Sequence, residues 1–186
     1  MSLVKSLKIC SNCLYSSGHA YPMLFSGGLC SGCLVHKEKE AGVWVDRTKI
    51  LKNQIIEHNS QFNANNSFDC IIPVTGAGDS FFTVHYVENV LKLNPLLVNY
   101  NHHHNTSIGI RNLSKLSSFM DCDMIQDTLS PDKIKSITET TINEFGSIYW
   151  QALAGSTVLP LKLALRYNIP TIIWGLHGYS DQVGMY

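Results

Sequence analysis

The sequence has no long apolar segment and no excess of charge of either sign. No apolar run approaches the ~20 residues that a membrane-spanning helix requires. Lys and Arg together number 14, as do Asp and Glu, so the formal net charge is zero. Sequence-independent nucleic-acid binding depends on an excess of basic residues against phosphates. The sequence therefore disfavours a membrane-spanning protein, a polybasic membrane-surface protein and a general nucleic-acid binder.

The beginning of the chain lacks the extended apolar core and the small-residue cleavage site of a secretory signal. We therefore expect a cytoplasmic protein. Hydrophobic residues make up 45% of the 186 residues, which is too many for an intrinsically disordered chain. The length suits one domain of ordinary size with a small appendage.

Four of the six cysteines form two C-x2-C pairs that are separated by sixteen residues: Cys10, Cys13, Cys30 and Cys33. Two such pairs supply the four thiolates of a tetrahedral structural Zn2+ site. Two disulfides, or four reduced thiols without a shared ligand, are the alternatives. Disulfides are disfavoured in a protein without an export signal. A closed four-thiolate site leaves no open coordination position, so its role would be in folding.

Strand and helix patterns alternate through the rest of the chain. Short apolar runs predict buried parallel strands over 68–74, 95–100, 122–127 and 169–175. Amphipathic patterns predict helices over 79–93, 106–120, 130–145 and 157–168. This alternation predicts an α/β fold with a doubly wound, Rossmann-like parallel sheet. The predicted domains are a zinc ribbon over 1–37, a helical linker over 38–66 and an α/β domain over 67–186. Cys70 and Cys122, in or beside strands, are predicted to be small buried hydrophobes.

The loop after the first of these strands is the place to look for chemistry, since ligands bind beyond the carboxyl ends of parallel strands. Its sequence, TGAGDS at residues 75–80, leads directly into a helix. Small residues allow the backbone to approach an anion, and the helix N-terminus supplies N–H donors. The loop is neither a Walker loop nor a G-x-G-x-x-G fingerprint. An ordinary strand-to-helix turn is the alternative.

TGAGDS resembles the S-G-G-x-D-S loop of the adenine-nucleotide alpha hydrolase superfamily, the PP-loop ATP pyrophosphatases. With the cysteine ribbon, the Trp-containing linker and the stretches GIRNLSKL, NIPTIIWG and HGYSDQVGMY, the chain resembles the N-acetyl sugar amidotransferases of surface-polysaccharide (lipopolysaccharide O-antigen) biosynthesis. The loop departs from the common S-G-G-K-D-S at Thr75, Ala77 and Gly78. Members of that family are longer, so we expect this chain to be a fragment or a truncated form.

The resemblance implies an ATP-dependent conversion of a sugar N-acetyl group to an acetamidino group. ATP would transfer AMP to the amide oxygen of a nucleotide-sugar substrate with release of pyrophosphate, and ammonia would then displace AMP. Mg2+ would accompany ATP. A glutaminase subunit and a cyclase-like subunit that channels ammonia are the implied partners.

The resemblance also assigns the site residues. The β- and γ-phosphates would be held by Thr75, Gly76, Ala77, Gly78, Asp79 and Ser80, with Asp79 and Ser80 at the catalytic positions. Asp79 would also orient Mg2+, although a helix N-cap is an alternative role. Asn99 and Tyr100 end the second strand, where the superfamily seats adenine. Arg111 is the nearest cation for a phosphate, with a surface salt bridge as its alternative.

Two other functions remain open at this stage. One is a tRNA-thiolating PP-loop enzyme, which the balanced charge disfavours. The other is a non-catalytic zinc-ribbon module whose PP-loop has decayed, which Gly78 in place of Lys favours.

Overall fold

The computed structural model describes residues 6–18, 24–42, 44–62 and 67–175. These form two compact units, one containing the described residues up to Arg47 and the other Thr48–Gly175. The helix Trp44–Gln61 begins in the first and continues through the second. No helix in the described ranges is both long enough and apolar enough to cross a bilayer.

The first unit contains a short antiparallel hairpin followed by a helix. Strands β1 (Phe25–Ser26) and β2 (Leu29–Cys30) are paired, and helix α1 spans Ser31–Glu40. The two residues between the strands, Gly27 and Gly28, have φ of 57° and 79°. Positive φ at both positions is the signature of the tight turn that matches strand twist, and glycine adopts it without strain. The hairpin thereby brings the second cysteine pair to the start of α1.

The second unit is an α/β domain with a three-stranded parallel sheet in the order β3-β4-β5. After α2 (Trp44–Gln61) its elements are β3 (Cys70–Pro73), α3 (Gly78–His85), a π-helical turn (Tyr86–Val90), β4 (Pro95–Asn101), α4 (Ser107–Met120), β5 (Met124–Thr128), α5 (Pro131–Phe145) and α6 (Trp150–Tyr167).

Apolar side chains cover both faces of this sheet. On one face Ile72 and Leu97 pack in a cluster with Val84 of α3 and Leu116 of α4. On the other face Ile71, Leu96 and Val98 pack with Leu159 and Leu163 of α6. Successive strand residues point to opposite faces, and both are buried, which explains the continuous apolar runs in the sequence. The predicted α/β fold with a parallel sheet is confirmed.

The predicted strand over 169–175 is reduced to a single parallel bridge between Ile172 and Ile71. The N–H of Ile71 donates to the carbonyl of Thr171 at 2.9 Å, and the N–H of Ile173 donates to that of Ile71 at 2.8 Å. The N–H of Ile169 is used instead to close the end of α6, where it donates to the carbonyl of Ala164. Pro170 has no N–H to donate. Because neither Ile169 nor Pro170 donates to the sheet, pairing is limited to residues 171–173.

Two helix predictions also differ from the structure. The helix predicted over 157–168 begins at Trp150, seven residues earlier, and Pro160 lies within it. The helix predicted over 79–93 ends in the π-helical turn Tyr86–Val90. There the N–H of Leu91 donates to the carbonyl of Tyr86 at 2.9 Å, five residues back.

Cys70 provides a test of the packing in this core. Its side chain is fully buried, and burial, with a smaller contribution from the charge of Asp69, raises its pKa to about 12. The native thiol therefore stays protonated at pH values where the unfolded thiol, with a pKa near 8.5, is ionised. Its contribution to stability is complete below about pH 8 and is lost as the pH rises toward 12.

We expect the free energy of unfolding to fall between pH 8 and pH 11 by about 2–3 kcal/mol more in the wild type than in Cys70→Ala, at 1.36 kcal/mol per pKa unit. Urea unfolding at the two pH values measures this difference. Burial also raises the pKa of Cys122, to about 11, so Cys122→Ala should likewise lose less stability than the wild type over this range. Equal losses in wild type and Cys70→Ala would contradict this view of the core.

Candidate active site and metal centre

The loop between β3 and α3 has a backbone shape that requires glycine at one position. Gly76 has φ of 81°, which L side chains rarely adopt. A Cβ at this position would lie 2.9 Å from the backbone nitrogen of Leu113 in α4. The loop is therefore packed against α4 through the bare backbone of Gly76. A Cβ on Gly78, by contrast, would have no atom within 4 Å.

The start of α3 presents N–H groups without partners. The N-cap residue, Ala77, has an extended backbone and no side-chain oxygen to cap the helix. Within the described part of the chain, no hydrogen bond uses the N–H groups of Gly76, Ala77, Gly78 or Asp79. Unpaired N–H groups at a helix N-terminus, where the helix dipole is positive, form a site for an anion such as phosphate.

Ser80 stabilises the loop from within. Its buried hydroxyl accepts the N–H of Thr75 at 3.0 Å and lies 3.4 Å from the Thr75 hydroxyl. These contacts connect the two ends of the TGAGDS loop. Ser80 therefore orders the loop, while the side chains of Thr75, Ala77 and Asp79 are exposed on it.

Asp79 does not cap α3, since Ala77 is the N-cap residue. Its Oδ1 accepts the N–H of Ser80 at 2.9 Å, and Oδ2 makes no hydrogen bond or ion pair among the described residues. An exposed carboxylate oxygen beside unpaired N–H donors suits a Mg2+ ion carried by a phosphate. The residues present therefore fit a magnesium–phosphate ligand.

The structure separates the two residues that were predicted to seat adenine. Asn99 is buried, and its Nδ2 donates to the carbonyl of Val74 at 2.7 Å, at the start of the loop. Its Oδ1 is buried without a partner in the described structure. Tyr100 lies on the opposite face of the sheet, where it packs in the cluster that contains Leu159. Only Asn99 is brought to the loop.

Arg111 is exposed on α4, two residues before Leu113. No ion pair among the described residues includes it, so the alternative role in a surface salt bridge is not seen there. Its role as a phosphate ligand stays a prediction.

A cavity of about 700 Å³ extends from Thr75 along α4 to β5. A volume of roughly 300–1,000 Å³ is typical of small-molecule sites. Sequence reasoning missed most of its lining, including Asn101 at the end of β4, Asn105 after it, and Ser114 and Ser117 of α4. The position of Asn101 and Asn105 in the sequence could have identified them, because polar residues at the carboxyl end of β4 lie at the ligand-binding edge of the sheet. Of the TGAGDS loop, Thr75 is the residue that lines this cavity.

The four cysteines of the first unit come together. Their sulfur atoms lie within 4.8 Å of one another, with Cys10–Cys33 at 3.8 Å and Cys13–Cys30 at 3.6 Å. A tetrahedral ion with metal–sulfur bonds of about 2.3 Å has sulfur–sulfur edges of about 3.8 Å. The spacing therefore fits a single ion. A four-iron cluster binds each thiolate to a different iron and spreads the sulfurs further apart.

The ionisation of these thiols also favours a cation. Hydrogen bonds from backbone N–H groups, that of Cys13 first, lower the pKa of Cys10 to about 6 despite its burial. At Cys13 the N–H of Tyr15 lowers the pKa, but burial and the neighbouring thiols outweigh it and raise the pKa to about 12. The Cys10 thiol therefore ionises readily, whereas ionisation of the Cys13 thiol is disfavoured. A bound dication removes that opposition, because thiolates rather than thiols are the ligands of Zn2+.

The comparisons with family models and with curated proteins returned no match. Among solved structures, the NH3-dependent NAD synthetase of Campylobacter jejuni subsp. jejuni has a TM-score of 0.52 at 13% identity, over 78% of this chain and 62% of the synthetase. The likeness at this identity shows a shared fold alone.

Two further matches fall below a TM-score of 0.5 and carry no argument. The NMN synthetase of Francisella tularensis has a TM-score of 0.46 at 13% identity, over 65% of this chain and 51% of that protein. The U34-tRNA thiolase NcsA of Methanococcus maripaludis, solved with its 4Fe-4S cluster, has a TM-score of 0.34 at 13% identity. The match covers 91% of this chain and 67% of the thiolase. The chain thus spans between half and two thirds of the lengths of the two synthetases.

The two loop glycines form a matched pair for mutation. Gly76→Ala should destabilise the second unit by about 1–3 kcal/mol, since the new Cβ meets α4 and the backbone is strained. Gly78→Ala should change stability by less than about 1 kcal/mol, because nothing lies near its Cβ. Thermal or urea unfolding compares the two. Equal effects of the two substitutions would contradict the loop geometry.

The metal centre is tested by metal analysis of the purified chain. We expect one equivalent of Zn2+ per chain and its loss in Cys10→Ser, with unfolding of the first unit. The effect should be large, since structural zinc contributes on the order of 10 kcal/mol to the folding of small domains. Cys122→Ser is the control and should keep its metal. Four freely titratable thiols in the metal-free, folded wild type would disprove a metal site.

Proposed function

We propose that this chain is the nucleotide-binding part of an ATP-dependent N-acetyl sugar amidotransferase. In this proposal the β3–α3 loop binds the phosphates of ATP–Mg2+, and the amide oxygen of an N-acetyl sugar is adenylylated. Because the chain spans only part of the solved structures that it matches, the activity belongs to the proposal for the whole protein.

The observation that supports nucleotide binding most strongly is the set of unpaired N–H groups at residues 76–79. Exposed donors at a helix N-terminus are available to an oxyanion without any rearrangement. They act through the backbone, so Gly78 in place of a loop Lys leaves them in place. The shared fold with an NAD synthetase is consistent with this use of the loop.

The proposed chemistry has two displacement steps. The amide oxygen of the sugar attacks the α-phosphorus of ATP, the bond between the α-phosphorus and its bridging oxygen breaks, and pyrophosphate leaves. Ammonia then attacks the amide carbon, and the C–O bond breaks with release of AMP and a proton. Adenylylation is needed because an amide oxygen is otherwise a poor leaving group. The acetamidino product carries the nitrogen from ammonia.

The residues of the loop would have different tasks in the first step. The N–H groups of residues 76–79 would stabilise the charge that develops on the leaving pyrophosphate. Mg2+, held in part by the free Oδ2 of Asp79, would neutralise the same phosphates. Ser80 would keep the loop in shape through its contact with Thr75. The Zn2+ of the cysteine cluster, with four protein ligands, would stabilise the fold and take no part in the reaction.

The two alternative functions receive less support. Transfer of sulfur to tRNA needs a reactive thiol, but burial raises the pKa of both Cys70 and Cys122, the two cysteines outside the cluster. A decayed loop is disfavoured because the unpaired N–H groups of residues 76–79 remain available to a phosphate at the start of α3. Ammonia would come from a partner glutaminase, and an isolated chain should not hydrolyse glutamine.

Calorimetric titration with ATP in the presence and absence of Mg2+ tests the nucleotide site. We expect the wild type to bind ATP–Mg2+ and Asp79→Ala to lose about tenfold in affinity only when Mg2+ is present. Gly78→Lys should strengthen binding by about one to two orders of magnitude, because a charged hydrogen bond contributes roughly 1.5–3 kcal/mol.

Asp132→Asn, on the exposed first turn of α5, is the matched control and should bind as the wild type does. If the folded wild type and Gly78→Lys both fail to bind ATP at millimolar concentration, the nucleotide-site proposal is wrong. Pyrophosphate release that depends on an added nucleotide N-acetyl sugar would then separate the amidotransferase from other ATP-dependent reactions.

A further inference from the structure

A second cavity lies on the face of the sheet opposite the loop. It has a volume of about 240 Å³, is open to solvent, and is lined by the carboxyl ends of β4 and β5, by α5 and by one side of α6. At about 30 Å³ per water it has room for about eight waters, which is the size of a small metabolite rather than a nucleotide. Tyr100 forms part of its wall.

A buried amide in this cavity lacks a partner. Gln151, in the first turn of α6, has 3% of its surface exposed and lines the cavity. Its Oε1 accepts the hydroxyl of Tyr100 at 3.1 Å, and its Nε2 has no partner in the described structure. Exchanging the two amide atoms leaves one of them unpaired in either orientation. An unpaired buried amide group destabilises the fold, and a ligand that bonds to it would remove that cost.

Two exposed side chains of opposite charge, Asp127 and Lys162, line the same cavity. Asp127 pairs with Tyr100 in the sheet register, which places both side chains on one face. Lys162 reaches the cavity from α6, three turns beyond Gln151. The ion pairs among the described residues include neither Asp127 nor Lys162. The remaining lining is largely apolar and includes Ile137, Val158 and Leu159.

The position of Gly155 gives the cavity its shape. A Cβ on this residue would lie 2.3 Å from the ring of Tyr100, so α6 approaches the ring through bare backbone. The Tyr100 hydroxyl is thereby directed to Gln151 at one end of the cavity.

We propose that this cavity binds a small α-amino acid with an apolar side chain. The carboxylate would accept hydrogen bonds from Lys162 and from the unpaired Nε2 of Gln151, and the ammonium group would face Asp127. The side chain would pack on the apolar lining. A ligand that carries one charge of each sign is the class that complements both exposed charges and the buried donor together. This site does not depend on the proposed ATP site.

The test is calorimetric titration of the full chain at neutral pH with L-leucine, L-valine and L-methionine as probes. We expect at least one of them to bind, and Asp127→Asn and Lys162→Met each to weaken that binding by about tenfold or more. Lys133→Met, which removes an exposed charge from α5 away from the cavity lining, is the matched control and should bind as the wild type does.

Analogues of leucine separate the two charges. 4-Methylpentanoate lacks the ammonium group and 3-methylbutylamine lacks the carboxylate, so each should bind about tenfold or more weakly than leucine. Binding should persist in Asp79→Ala, which distinguishes this cavity from the ATP loop. The proposal is overturned if none of the three amino acids binds at millimolar concentration, if both charge variants bind as the wild type does, or if Asp79→Ala abolishes binding.

Discussion

The close contact between Gly76 and the backbone of α4 is the constraint on which the candidate active site depends. The left-handed φ of Gly76 turns the chain after β3, and the absence of a side chain lets the turn rest against Leu113. Ser80 then connects the end of the loop to Thr75. With the loop fixed at both ends, the N–H groups that begin α3 have no protein acceptor in the described structure. A phosphate would supply the missing acceptors.

The last residues of strand β4 contribute to two separate sites. Asn99 reaches the loop on one face, where it holds the carbonyl of Val74, while Tyr100 reaches a second cavity on the other. Neighbouring residues of a strand necessarily face opposite ways. Position at the end of a strand therefore predicts the ligand-binding edge of a sheet without predicting which face a given side chain serves.

The sequence contained enough information for the main elements and for the cysteine cluster. Apolar runs of strand length predicted β3 and β4, because both faces of these two strands are buried. β5 was also predicted, although its last three residues are exposed. The C-x2-C spacing predicted a cluster because short knuckles bring two sulfurs together whatever surrounds them. The loop was recognised from its small residues and its place before a helix. Its free N–H groups could not be predicted, since they depend on which acceptors the folded chain leaves nearby.

Features that depend on competition for hydrogen bonds were not accessible from the sequence. The run at 169–175 has the composition of a strand. The N–H of Ile169, however, donates to the carbonyl of Ala164 at the end of α6, and Pro170 has no N–H. The unpaired amide of Gln151 follows from a contact between two elements far apart in the chain. Such contacts are decided by packing rather than by local pattern.

The measurement that tests the account most directly is an NMR titration of the 15N-labelled chain with ATP–Mg2+, following the amide signals of residues 76–79. If these N–H groups bind phosphate, their signals should shift first and most strongly, and inorganic pyrophosphate should shift the same set. Saturating ATP–Mg2+ that leaves the four signals in place, in a chain that is folded, would contradict the role assigned to the loop.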